Sequence, residues 1–288
     1  MNANGSGAIR GFRDAIDAGL PCNVKSSDEK AVAMMANLSL FDLTGKKAIV
    51  TGAGCGLGRG IAAALANAGA EVVILDIADA AVDTAAELTA SGLAVHAVKG
   101  NLLDRADLER SFHESVRVLG GLDILVNNAG MHDRRACLDL PVESWDKVLE
   151  LNITAVYQLC RLAGAIMVKQ GSGKIISMAS MLSFLGGYNA SAYAVSKAGV
   201  AQLTKSLSNE WAGYGVQVNA IAPGYMATEM NTDLLHDDVR LPQVNARIPA
   251  GRWGRPDDLA GVSVFLASAA SDYVSGAIVP VDGGYLAR

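Results

Sequence analysis

Apolar positions along this chain follow two periods that take turns. Short runs rich in β-branched residues read as strands: AIVT at 48–51, EVVILD at 71–76, LAVHAV at 93–98, LDILVNNAG at 122–130, GKIISMAS at 173–180, VQVNAIAPG at 216–224 and AIVPVDGG at 277–284. Between them the spacing lengthens to that of helices, over 61–69, 78–90, 105–119, 145–170, 190–214 and 256–267. This alternation predicts βαβ units with right-handed crossovers. The fold class is α/β, a single doubly wound parallel sheet of about seven strands with helices on both faces. No linker, repeat or low-complexity tract interrupts residues 41–288, which read as one domain.

Residues 1–40 follow a different pattern and read as an N-terminal extension, partly helical or disordered. Ile9, Phe12, Ile16 and Leu20 recur at helical spacing before Pro21, and a second helical patch, 29–37, follows a Ser-Ser-Asp capping signal. Such an extension suits a subunit contact, a flap over a neighbouring site or an accessory tail. Met34 or Met35 is an alternative start.

Composition narrows the class. In 288 residues, 51% are hydrophobic and 18% charged, enough for a large core and too apolar for wholesale disorder. A net charge of −5 offers no footprint for nucleic acid or an anionic membrane. No apolar run reaches spanning length and no signal-peptide pattern opens the chain, so a cytoplasmic location is expected. The four cysteines are widely spaced without a CxxC pair, and the four histidines form no ligand cluster, so neither a disulfide framework nor a metal site is expected. His96, His113, His132 and His236 read as surface or packing residues, with His132 the least settled because it follows NNAG.

Two stretches carry chemistry. TGAGCGLG, from Thr51 to Gly58, joins a strand to a helix. Gly52, Gly56 and Gly58, with Cys55 and Leu57 between, permit a tight turn that brings backbone amides to a pyrophosphate at a helix N-terminus. Asp76 ends the next strand, where an acid accepts from the adenosine ribose diol and repels a 2′-phosphate. NAD is therefore expected over NADP, unless Asp76 merely caps the following helix. The second stretch runs from Ser180 to Lys197. On a helix beginning near Ala190, Tyr193 and Lys197 are i and i+4 and share a face. A phenol titrates near 10, and a neighbouring ammonium lowers that value toward working range.

These motifs, with NNAG at 127–130, Asn152 in LNIT, YAVSK at 193–197 and PGYMAT at 223–228, resemble those of the short-chain dehydrogenase/reductase family from Leu43 to the C-terminus. The resemblance implies a Rossmann-type domain that moves a hydride between a nicotinamide cofactor and an alcohol or ketone. It implies that Tyr193 is the catalytic acid/base, that Lys197 lowers its pKa and binds the nicotinamide ribose, and that Ser180 holds the substrate oxygen. Asn152 would kink its helix and anchor a water in a proton relay. Asn101 with Leu102, the run Asn128, Ala129 and Gly130, and Pro223, Gly224, Met226 and Thr228 would line the cofactor channel. Asn101 stands where the family often has an acid, and its side-chain carbonyl can still meet an adenine amino group.

The segments NNAGMHDRRA, SMLSFLGG, RIPAGRWGRP and the chain ending resemble the sugar-acid dehydrogenases of that family. A sugar acid calls for a cation, and guanidinium offers a two-pronged fork. Arg134 and Arg135, in the loop after the fourth strand, are the leading candidates, with Arg247 and Arg252 behind them. Met181, Gly187, Tyr188 and Met226 would shape the pocket. The family further implies a homotetramer, with helices 145–170 and 190–214 paired across one two-fold axis. Rival readings are gluconate 5-dehydrogenase, a polyol or 3-oxoacyl reductase, and a non-catalytic nucleotide-binding scaffold. The scaffold predicts a damaged tetrad, yet Asn152, Ser180, Tyr193 and Lys197 are all present.

Overall fold

In the computed structural model, which describes residues 38–288, the chain alternates strand and helix. The helices expected at 9–20 and 29–37 lie outside the described residues. The order is β1 (Lys47–Thr51), α1 (Gly56–Asn67), β2 (Glu71–Asp76), α2 (Ala80–Ala90), β3 (Val95–Lys99), α3 (Arg105–Leu119) and β4 (Ile124–Asn127). There follow α4 (Val142–Leu149), a π-helical turn (Glu150–Thr154), α5 (Ala155–Gln170), β5 (Gly173–Met178) and α6 (Ser191–Trp211). The last elements are β6 (Val216–Pro223), α7 (Thr232–Leu235), α8 (Arg240–Asn245), α9 (Ala260–Ala267) and β7 (Ile278–Val281). The strands form one seven-stranded sheet in the order β3-β2-β1-β4-β5-β6-β7, parallel throughout.

Alternate side chains of each strand enter different cores, as the two-residue period requires. Ile49, Val73, Leu75 and Leu125 pack with Leu108 and Phe112 of α3, Leu159 of α5 and Val200 of α6. Val50, Val72, Ile74 and Val126 face the other way, onto Ile61 and Leu65 of α1 and Leu266 of α9. Burial on both faces explains why the strands are apolar at nearly every position.

Two sequence expectations change. The helical run Val142–Gln170 is, by length and composition, apolar enough to cross a membrane, where no apolar run of spanning length is expected from the sequence. Its apolar stripe is core instead: Val156, Leu159, Ala163 and Met167 pack beside Leu125 and Ile175. The segment after Thr228, left without elements by periodicity, contains α7 and α8. These pack through Leu234 and Val244 on a satellite cluster with Met181, Ile248 and Tyr285.

The strand order reverses between β1 and β4, and a crevice opens there at the carboxyl ends of the strands. Side chains tie the crevice's two sides together. Thr51 Oγ1 accepts from the amides of Asn128 (3.0 Å) and Ala129 (3.1 Å). Asn128 Nδ2 donates back to the carbonyls of Thr51 (2.9 Å) and Gly52 (2.8 Å). Thr51→Val keeps the shape and leaves two amides without acceptors. Its stability, read by urea unfolding, is expected to fall by on the order of 2 kcal/mol; an unchanged midpoint would mean that water replaces the hydroxyl.

Candidate active site

The first cavity, of about 360 Å³, lies in the crevice. Every residue that the sequence assigns to the cofactor lines it, from Gly52 to Gly58, through Asp76, Asn101, Leu102 and Asn128–Gly130, to Pro223, Gly224, Met226 and Thr228. Gly56 adopts a left-handed φ of 57° with open space where a Cβ would stand. A Cβ at Gly52 would come within 2.7 Å of the Ala129 Cα, so the two loops can approach this closely only with glycine at position 52. The amides of the first turn of α1 have no intrahelical acceptors and face this space. This open, amide-lined cradle fits the pyrophosphate of a dinucleotide.

Asp76 is held on both oxygens: Oδ2 accepts from the Gly54 amide (2.9 Å) and Oδ1 from the Ala78 amide (3.0 Å). It therefore steadies the loop before α2 and also presents its carboxylate to the cavity. Lys197 is the only lysine or arginine among the described residues that line this cavity. The nearest basic side chains in sequence are engaged elsewhere, Arg59 with Glu87 and Lys99 with Asp79 (both 2.5 Å). Asn101 spends its side-chain carbonyl partly on the Leu103 amide (3.0 Å), while its own amide donates to Asp107 (2.7 Å).

At the inner end stand the tetrad residues. Tyr193 and Lys197 rise from the first two turns of α6, and Ser180 caps the turn after β5, accepting from the Leu182 amide (3.1 Å). Ser180 and Tyr193 line the cavity together. Asn152, fully buried in the π-helical turn, clasps the backbone of Met131: Oδ1 accepts from its amide (2.9 Å) and Nδ2 donates to its carbonyl (2.8 Å). The extra residue of a π turn is what rotates this carboxamide toward the loop after β4.

Lys197 lines the cofactor cavity beside Tyr193. Its Nζ donates to the Met178 carbonyl (2.6 Å) and lies 5.6 Å from the centre of the Tyr193 ring. Burial pushes its ammonium down to about 8. Burial likewise pushes the Tyr193 phenol above its usual value, while the Ser180 hydroxyl and the positive charge of Arg134 act in the opposite sense. Arg134 is thus one of the charges that favour the phenolate.

A second cavity, of about 710 Å³, meets the first at Ser180, Tyr193, Gly224, Met230 and Asn231. Arg134, Met181, Gly187 and Tyr188 line it, and so does Arg247. Arg135 does not; its guanidinium is spent on Asp133 (Nε to Oδ1 2.7 Å). Arg252 is likewise held by Asp258 (2.7 Å), and Met226 faces only the cofactor cavity. Two side chains join unannounced. His132 sets its ring edge-on to Tyr193 (6.3 Å, 89°) and donates from Nε2 to the Met230 carbonyl (2.8 Å), while its buried Nδ1 has no partner. Arg240 lies over the Tyr188 ring at 5.4 Å. The lining thus holds three arginines and a histidine, and no aspartate or glutamate among the described residues.

A family model described as enoyl-(acyl carrier protein) reductase matches residues 52–286. The chain is a short-chain dehydrogenase/reductase. It is 46% identical over 255 residues to a 2-dehydro-3-deoxy-D-gluconate 5-dehydrogenase of Bacillus subtilis, with 86% of this chain and 97% of the relative covered. An Escherichia coli protein of the same name is 45% identical over 252 residues, covering 87% of this chain and 99% of its own length. Among solved structures, a gluconate 5-dehydrogenase from Burkholderia cenocepacia in complex with NADP and tartrate superposes with a TM-score of 0.84. It is 37% identical, covering 87% of this chain and 99% of that one. As a short-chain dehydrogenase/reductase, the chain is an NAD(P)-dependent oxidoreductase that acts on CH–OH groups.

In the folded enzyme Lys197 has a depressed pKa, about 8 against 10.5 for a free lysine. Folding therefore disfavours its ammonium. The penalty is full below about pH 8 and fades as pH rises toward 10.5. It amounts to about 3 kcal/mol, partly offset by the Met178 hydrogen bond. Lys197→Met is expected to be more stable than the natural protein at pH 7, with the advantage shrinking by pH 10. Urea unfolding at the two pH values reads this, and a variant no more stable at pH 7 would refute it.

Proposed function

We propose that this enzyme interconverts the secondary alcohol and ketone of a sugar acid, most specifically 2-dehydro-3-deoxy-D-gluconate at C5, with NAD. The observation that carries the reading is the second cavity: three guanidiniums and no carboxylate, opening on the Ser180–Tyr193 pair. A polyol needs no such cation excess and an acyl chain would be disfavoured by it, whereas a sugar acid brings one negative charge and several hydroxyls. The names of the Bacillus and E. coli relatives support the same substrate. Gluconate 5-dehydrogenase activity remains the nearest rival, favoured by the Burkholderia neighbour.

A nicotinamide cofactor across the first cavity supplies or accepts the hydride. Ser180 and Tyr193 together hold the oxygen whose proton moves. In oxidation the Tyr193 phenolate takes the hydroxyl proton, and in reduction the phenol returns it. Ser180 keeps the oxygen within reach of one acid/base instead of bulk water. Asn152 fixes Met131, and so the loop that carries His132 and Arg134. Lys197 holds the turn after β5 through Met178 and adds charge beneath the ring.

NAD is favoured over NADP because the adenosine end of the cavity presents the Asp76 carboxylate and no lysine or arginine. A 2′-phosphate there would meet like charge without a compensating cation. A homotetramer is proposed on the apolar residues that the long helices leave exposed, Tyr157 on α5 and Val195 on α6.

Turnover of 2-dehydro-3-deoxy-D-gluconate, gluconate, 5-ketogluconate and glucitol with each cofactor tests the reading. The deoxy keto acid with NAD is expected to give the highest kcat/KM, and Tyr193→Phe to lower kcat by about 100-fold or more. Asp76→Ser is expected to narrow the NAD preference at least tenfold by admitting NADP. Activity confined to glucitol would sink the sugar-acid assignment, and an unaltered cofactor ratio would sink the role of Asp76. Light scattering is expected to give a four-chain mass that Val195→Asp reduces; a natural protein of one-chain mass would contradict the tetramer.

A further inference from the structure

Three arginines line the substrate cavity, yet a sugar acid carries one carboxylate, so their roles must differ. Arg134 lines the second cavity and is tied to Asn231, one of the residues at which the two cavities meet. Its Nη2 donates to Asn231 Oδ1 (2.5 Å), and Asn231, which lines both cavities, donates in turn to the Met226 carbonyl (2.8 Å). Its charge also favours the Tyr193 phenolate. A carboxylate laid on Arg134 would cancel that help at the moment the tyrosine must ionise.

Arg240 and Arg247 line the same cavity from another element, without a hydrogen bond to a junction residue among those described. They lie seven residues apart on α8 and the turn that continues it, with Gln243 between; Arg247 donates its amide to the Val244 carbonyl (3.0 Å). Positions i, i+3 and i+7 share one helix face, and all three line the cavity. Val244, on the same helix, is buried in the satellite cluster with Met181 and Tyr285 and anchors the element. The two guanidiniums are steadied by aromatic faces rather than by acids: Arg240 over Tyr188 at 5.4 Å and Arg247 over Tyr285 at 4.5 Å. Stacking leaves the in-plane N–H donors available to a ligand, whereas the forks of Arg135 and Arg252 are already filled by carboxylates.

We infer that the substrate carboxylate is held by Arg240 and Arg247, with Gln243 beside them, and that Arg134 is a positioning residue for Tyr193. The inference rests on the sugar-acid reading and refines it. In a six-carbon acid, C5 and the carboxylate carbon are separated by four bonds, about 5 Å in an extended chain. An acid anchored on α8 would lie in the same cavity as Tyr193, with the carbon chain running between them.

Calorimetry with the full-length enzyme loaded with NADH tests this, using gluconate as the anionic probe and glucitol as its neutral counterpart. With NADH present neither probe turns over. Arg240→Gln and Arg247→Gln are each expected to weaken gluconate at least tenfold while the glucitol affinity moves less than threefold; Arg240→Lys should restore part of the loss. Arg134→Gln is expected to move the rising limb of the oxidation pH profile to higher pH, since it removes a charge that lowers the tyrosine. Arg240→Gln should leave that limb in place. Gluconate affinity lost in Arg134→Gln but kept in both α8 variants would overturn the assignment and leave the sugar-acid reading intact. A natural enzyme that binds glucitol but no acid would overturn both.

Discussion

Everything catalytic here depends on how the sheet handles its reversal between β1 and β4. At that point helices on neither face can cover the strand ends, so two loops must meet across an open crevice without collapsing into it. The structure solves this with reciprocal hydrogen bonds, Thr51 Oγ1 to the amides of Asn128 and Ala129, and Asn128 Nδ2 to the carbonyls of Thr51 and Gly52. A side chain thereby does what a sheet ladder does elsewhere. Glycine follows from the same constraint, because a Cβ at Gly52 would strike the Ala129 backbone. The room kept open by this arrangement is the cofactor cavity.

Charge is distributed by the same logic of what is and is not paired. On the surface, cations meet carboxylates in ordinary exposed pairs, as Arg59 does with Glu87 and Lys99 with Asp79. Such pairs contribute little to stability. Around the reacting centre the pattern inverts. Lys197 is buried against a neutral carbonyl, Arg134 is half-buried against a neutral carboxamide, and Arg240 and Arg247 rest on rings. Uncompensated cations oppose folding and are stable only where packing is strong elsewhere. Their presence in one cavity, in a chain whose net charge is −5, points to an anionic ligand more sharply than the overall composition does.

Much of this was legible in the sequence, for identifiable reasons. The sheet was readable because strands buried on both faces leave runs such as EVVILD, which matches β2 residue for residue. The cofactor residues were readable because glycines in a strand–loop–helix context have few other uses. What escaped was set by distance in space. Arg134 and Arg135 are neighbours in one loop and looked equivalent; only the fold sends one into the cavity and the other onto Asp133. Arg240 lay in a segment too short and too polar for periodicity to register, although its i, i+3, i+7 relation to Gln243 and Arg247 is a helical signature once α8 is known. His132 was undervalued because its position after NNAG does not reveal that its ring meets Tyr193 edge-on.

The tyrosine itself shows why spacing was an incomplete guide to its chemistry. YxxxK puts the lysine on the same helical face, yet a face is one turn wide, and an ammonium there can reach either the phenol oxygen or a carbonyl beneath the ring. In this enzyme Lys197 reaches the Met178 carbonyl, because a buried ammonium needs an acceptor more than a phenol needs a cation. The phenol is then governed by burial, which raises its pKa, against Ser180 and Arg134, which lower it. Arg134 stands on the substrate side, and Ser180 lines both cavities. Acid/base strength in this site is therefore sensitive to what the substrate does to Arg134, and a carboxylate carried away from that arginine preserves the balance that lets Tyr193 exchange its proton.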